Sequence, residues 1–379
     1  MRFTNIQFLR AAAAVGVVLY HLGEHAARLV GLHPGWTSFP LLAGLPVPLF
    51  FAVSGFVLTH ALRTAPPGRF LLARALRLYP GYWLALGLTL VLMRLRVYTE
   101  HHRWVIHFVN ASTVTLWPAG PGKVLYVLGV EWSLVYEVFL SVTLAAFGLA
   151  GRGRAVAVLA GVWLAVLGAK MAVFPGWWYD TFPHWTTIAL SPMATPFLFG
   201  VLAYQLRGAS RRWAWVVAPA AAAVLYVGST VRMEPEHVWA AWGLAAAGIV
   251  WLAVVLPQAA EGNRLARLGD YTYGLFLFHV PLLFAVLYPA ARLGWAGRWE
   301  AVWLAGAVAI AGGLAFGRVE AAVHARLRPL AKVDYAGLTR RLASRITGRE
   351  PTPPARAAGA SRSLRATAPR PRTRRPSSA

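Results

Sequence analysis

The sequence predicts an all-α protein, a polytopic bundle of about ten membrane-spanning helices. Three observations predict it. Of the 379 residues, 58% are apolar and 13% charged, about half the charge of an ordinary soluble domain. Apolar stretches of about 20 residues, enough to cross a hydrocarbon core of ~30 Å as a helix, recur along most of the chain. No stretch between them reads as a soluble domain. There is no cysteine, which excludes disulfides, thiolate nucleophiles, cysteine-ligated zinc and iron–sulfur clusters.

The first span is expected at 6–27. Arg2 and the apolar run from Ala11 to Tyr20 imitate a signal peptide, but Arg10 interrupts the segment and no cleavage site follows, so it reads as a retained helix. Its ionisable residues are Arg10, His21, Glu24 and His25. Such residues cost a few kcal/mol inside a bilayer and mark function by default. Arg10 and His21 are 11 residues apart, which returns to within ~20° of one face after a rise of ~16 Å. The helix thus presents a polar stripe. Its two readings are a reactive pair, or an Arg reaching the interface and a His bonded to a neighbouring helix. His21 to His25 also reads H-x-x-E-H, the inverted zinc-protease pattern; without a clear third ligand it is assigned no metal.

A second span is expected at 41–62 and a third at 79–98. Between them Arg74 and Arg77 share a helical face. Two guanidiniums at that spacing can grip a phosphate with forked hydrogen bonds, or serve as topological charge. In the fourth span, 125–149, Ser133 and Glu137 share a face. Glu137 lies about two turns into apolar sequence, where a carboxylate either pairs with a cation of another span or exchanges protons. Further apolar runs give spans at 155–174, 188–206, 213–231 and 238–256. The ninth, 271–290, contains His279 ahead of Pro281, placed to bond carbonyls freed by the proline. The tenth is expected at 299–317. Aromatic segments at His101–Trp117 and Phe174–Trp185 suit the headgroup level.

The net charge is +24, but its placement excludes a nucleic-acid partner. Clusters such as Arg63, Arg69, Arg152, Arg154, Arg207, Arg211, Arg212, Arg264 and Arg267 fall in alternate loops and put both termini in the cytoplasm, facing anionic lipid. From Arg318 onward there are 15 Lys/Arg and 3 acids. The chain divides into a transmembrane domain at 1–318, a basic amphipathic cytoplasmic segment at 319–350, and a Pro/Arg-rich tail at 351–379 with too few apolar residues to fold.

Taken together, Arg10 and His21, the run Phe51-Ala52-Val53-Ser54-Gly55-Phe56, Arg74-x-x-Arg77 with Pro80, Trp132-Ser133-Leu134-x-x-Glu137 and the run from Tyr273 to Pro281 resemble the acyltransferase-3 family of integral membrane O-acyltransferases. The matches follow the family's order from the first span to the ninth. One departure is Gly274, where the family often has Ser or a larger residue. The resemblance implies ten spans in the plasma membrane and transfer of an acyl group from cytoplasmic acyl-CoA, with acetyl-CoA as donor, to a hydroxyl of a sugar-containing acceptor. It implies that Arg10 and His21 are catalytic, with a lesser role for Glu137, and that Arg74 and Arg77 bind the donor. A transporter of a lipid or sugar intermediate is the alternative, disfavoured by the lack of an evident internal repeat.

Overall fold

The computed structural model describes residues 3–95, 97, 111–118, 126–151, 153–175, 184–260 and 262–333. The expected amphipathic segment around Leu338 to Arg349, the tail from Pro351, and most of the two aromatic surface segments lie outside the described residues.

Among the described residues, ten α-helices of eleven residues or more form the bundle: α1 (Thr4–Val30), α2 (Pro46–Thr64), α3 (Pro67–Arg94), α4 (Glu131–Ala150), α5 (Arg154–Val173), α6 (Thr195–Gln205), α7 (Ala214–Thr230), α8 (Pro235–Val255), α9 (Arg264–Arg292) and α10 (Trp299–Leu327). Among the described residues, nine helices are long and apolar enough to cross a membrane. The exception is the sixth. The apolar run at 188–206 folds as two 3₁₀ turns, Ile188–Leu190 and Pro192–Ala194, followed by the 11-residue α6. Pro192 and Pro196 lack the N–H an uninterrupted helix needs, and Ser191 Oγ accepts the Met193 N–H at 3.3 Å to satisfy the break. The broken segment is buried along most of its length, as irregular backbone at membrane depth must be.

Helix α1 ends where Gly31 adopts φ 71° and its N–H bonds back to the Ala26 carbonyl, a left-handed cap that glycine adopts without penalty. Helix α3 begins twelve residues before the span expected from hydropathy, at Pro67, a favoured first-turn residue. Arg74 and Arg77 are therefore on a transmembrane helix and not in the loop preceding it. Pro80, inside α3, frees the carbonyl of Leu76 four residues back; His324 of α10 approaches that oxygen with Nδ1 at 3.3 Å, and Tyr273 of α9 donates to the Leu78 carbonyl at 2.7 Å.

Helices α9 and α10 pack at backbone distance. A Cβ on Gly274 would lie 2.3 Å from Gly317 Cα, and one on Gly317 would lie 2.3 Å from the Tyr271 carbonyl oxygen. A Ser at 274 would have no room, which accounts for the glycine there. Small residues at such a crossing let dispersion contacts form without a hydrophobic drive. Ala14, Val18, Leu22 and Ala26 of α1 bury themselves against Leu283, Leu287, Ala301 and Ala305 of this pair. The opposite side of α1 meets α2 and α8 through Ala13, Leu49, Val53 and Ala246. α1 is thus packed on both sides, and Arg10 and His21 of its polar stripe face protein.

Candidate active site

A cavity of about 270 Å³ opens where α1, α2, α3, α4 and α9 meet, walled by Phe50, Phe51, Leu58, Leu78, Leu134 and Phe276. Into this apolar shell project Arg10, Ser54, Arg74, Arg77, Ser133, Glu137, Thr272 and Tyr273. Arg74 pairs with Glu137, and Ser54 Oγ donates to the same carboxylate at 3.3 Å. Arg77 pairs with Glu320 of α10 and lies over the Tyr273 ring, 5.0 Å from its centroid. The Glu320 side chain is 1% exposed. Gly81 makes room for it, since a Cβ there would meet Glu320 Cγ at 2.6 Å. Arg10 donates to Gln7 Oε1 at 3.2 Å and makes no ion pair among the described residues. Arg74 and Arg77 are thus ion-paired, while Arg10 lies in the field of the Glu137 and Asp270 carboxylates beside an apolar wall. Arg74 Nε and Glu320 Oε2 are buried without a partner among the described residues, so hydrogen-bonding capacity is left over.

The histidines form a second cluster. His21 Nδ1 lies 3.0 Å from His279 Nε2. His279 Nδ1 lies 2.8 Å from the Phe276 carbonyl oxygen and 3.2 Å from that of Leu275. Neither is the carbonyl four residues before Pro281, which belongs to Leu277, so His279 bonds backbone but not for the expected reason. His25 stacks on His21 with centroids 5.9 Å apart and planes 12° apart, and both its ring nitrogens are buried without partners among the described residues. Glu24 is exposed, which splits the H-x-x-E-H stretch between two faces.

The structure therefore brings Arg10, Arg74, Arg77 and Glu137 to one cavity and leaves His21 outside its walls. Phe276 joins the two clusters: its ring lines the cavity against Phe50, centroids 5.7 Å apart, while its carbonyl faces His279. Sequence reading missed Glu320. The signal was an acid placed two residues after Arg318 in otherwise apolar sequence, but it fell just past the expected end of the last span.

The family profile described as an acyltransferase domain matches residues 3–318, nearly the whole bundle. The chain belongs to the acyltransferase-3 family. It is accordingly a multi-pass membrane acyltransferase that transfers groups other than aminoacyl groups. The chain is 25% identical over 333 residues to nodulation protein 10 of Rhizobium leguminosarum bv. viciae, covering 78% of this chain and 86% of that protein. It is 43% identical over 93 residues to protein 2 in the picA locus of Rhizobium radiobacter, covering 23% of this chain and 44% of that protein. No solved structure matches. Arg10, His21, Arg74, Arg77, Glu137 and His279 all fall within the family match; Glu320 lies just beyond it.

Proposed function

We propose that this acyltransferase takes its acyl group from cytoplasmic acyl-CoA, with acetyl-CoA as the donor, and delivers it to a hydroxyl of a sugar-containing acceptor at the plasma membrane. The observation that carries this reading is the cavity into which three guanidiniums project, joined through Phe276 to a histidine pair. Arg10, Arg74 and Arg77 hold the CoA phosphates by charge-assisted hydrogen bonds. CoA is a phosphate-bearing head on a long flexible arm, so its thioester extends past Phe276 along the face of α1. Arg10 and His21 are separated by ~16 Å on that helix; in this reading Arg10 therefore serves the donor's phosphates, and not the reacting carbonyl. Glu137 holds Arg74 in place.

His21 takes the proton from the acceptor hydroxyl as that oxygen attacks the thioester carbonyl carbon. The carbon–sulfur bond breaks, and the departing sulfur collects the proton from His21, giving an ester and free CoA. Attack by His21 itself through an acyl-imidazole gives the same products. With no cysteine in the chain, a thioester on the enzyme is not an option.

The test is turnover of purified enzyme with radiolabelled acetyl-CoA and isolated envelope glycan. General-base catalysis contributes about 10²–10⁴-fold, so His21→Ala should lose at least that order. His25→Ala should lose far less, because His25 makes no hydrogen bond among the described residues that its removal could break. Transfer by His21→Ala at near the wild-type rate would end this mechanism.

A further inference from the structure

Resting on that role for His21, we infer that His279 is a positioning residue, fixing the proton of His21 on Nδ1 and leaving Nε2 as the basic nitrogen. A neutral imidazole has one N–H and one lone pair. His279 Nδ1 faces the carbonyl oxygens of Phe276 at 2.8 Å and Leu275 at 3.2 Å. Carbonyls only accept, so Nδ1 carries the hydrogen of His279. Its Nε2 is then an acceptor. That nitrogen sits 3.0 Å from His21 Nδ1, and one hydrogen must lie between them; only His21 can supply it. The remaining nitrogen, His21 Nε2, keeps its lone pair.

The opposite arrangement requires a second proton on His279. That residue is fully buried, and no carboxylate faces it among the described residues, so a charge there is costly. Once His21 has taken the acceptor's proton, its Nδ1–H remains held by His279 while Nε2–H points at the departing sulfur. Partners that orient a metal-bound histidine in this way typically change function by about 10–100-fold when removed, and a loss of the same order is expected here. The device is built by two helices 258 residues apart in sequence, with the Phe276 backbone as its fixed point. Donor binding, by contrast, belongs to the arginines. The two functions should therefore separate in the kinetic constants.

The experiment compares His279→Gln with His279→Asn in the full-length protein in nanodiscs. The longer amide reaches the place of Nε2 and can accept from His21; the shorter one reaches only the backbone carbonyls. Acetyl-CoA cleavage is followed by the thiol released, every thiol being CoA because the chain has none of its own. In parallel, carbethoxylation of His21 by diethyl pyrocarbonate is read by mass spectrometry, which reports the free ring nitrogen without any turnover. His279→Asn should lower kcat about 10–100-fold at unchanged KM for acetyl-CoA and slow modification of His21. His279→Gln should recover most of both. Equal behaviour of the two variants, in kcat and in His21 modification, would overturn the inference, whether both are active or both dead. Inert His21→Ala with both His279 variants at the wild-type rate defeats this inference alone; active His21→Ala defeats the mechanism beneath it.

Discussion

Arg74 and Arg77 each arrive at the cavity already paired, and this shapes what their substitution can reveal. Removing Arg74 leaves the Glu137 carboxylate half-buried without its cation, and removing one partner of a buried pair costs far more than removing both. The informative variants keep that balance. Arg74→Lys and Arg77→Lys retain charge but lose the forked geometry, and the double variant Arg74→Gln with Glu137→Gln loses both charges at once. All three should raise the KM for acetyl-CoA, the double variant by about 10–100-fold, corresponding to the ~1.5–3 kcal/mol of a charged hydrogen bond. Donor-dependence of turnover in nanodiscs measures this, and unchanged KM in the double variant would return the pair to a structural role. Of the four residues in these two ion pairs, Glu137 was visible in the sequence as an ionisable residue in apolar surroundings, Arg74 and Arg77 as a basic couple between two spans, and Glu320 not at all. The pairing was not. Helical periodicity relates Arg74 to Arg77 on one helix, but it cannot tell that their partners come from α4 and α10, nor that His21 and His279 meet.

At the scale of a helix, the polar residues stay in place because the glycines beside them allow backbones to touch. Gly55 follows Ser54 on α2, and a Cβ there would lie 2.0 Å from the Phe197 carbonyl oxygen of α6. Gly200 on α6 returns the contact, its Cβ position lying 2.1 Å from the Ala52 carbonyl oxygen. The conflict is with backbone on both sides, so a side chain can be admitted only by separating the helices. Gly200→Val should lower stability by about 1–3 kcal/mol or more, read as a reduced midpoint of thermal unfolding in detergent, and by shifting α2 should weaken the Ser54 contact with Glu137 of α4. Gly87→Ala on α3 is the control: nothing lies within 4 Å of its Cβ position, and replacing a helical glycine there should be neutral or gain up to ~1 kcal/mol. Equal losses from both would mean that glycine content, and not this crossing, governs stability. Hydropathy located these helices but not their lengths. It began α3 at Tyr79 because Arg69, Arg74 and Arg77 dilute the apolar signal of a helix that starts at Pro67. It also gave the sixth span one continuous helix, because Pro192 and Pro196 hardly change a mean hydropathy while they decide where a helix can form.

Across the whole molecule, the side on which the arginine cavity opens determines which donor can reach it. Arg10 lies in the second turn of α1, and Arg74 and Arg77 in the first half of α3; two crossings of the membrane bring the beginnings of these helices to the same side. The basic loops between α2 and α3 and between α6 and α7 lie on that side as well, and the excess of Arg there predicts that it is the cytoplasm. Acyl-CoA is a cytoplasmic metabolite, so donor and orientation stand or fall together. The absence of cysteine makes the question directly measurable, since one introduced thiol is the sole target of a maleimide. Ser210, in the α6–α7 loop, and Ala296, in the α9–α10 loop, are both exposed, and they lie an odd number of crossings apart. Ser210→Cys should react with a membrane-impermeant maleimide only after the cells are permeabilised, whereas Ala296→Cys should react in intact cells. The reverse pattern would put the arginine cavity outside and deprive it of a cytoplasmic CoA ester. The acyl group would then have to be drawn from an extracytoplasmic donor, and the phosphate-binding role given to Arg10, Arg74 and Arg77 would fall with it.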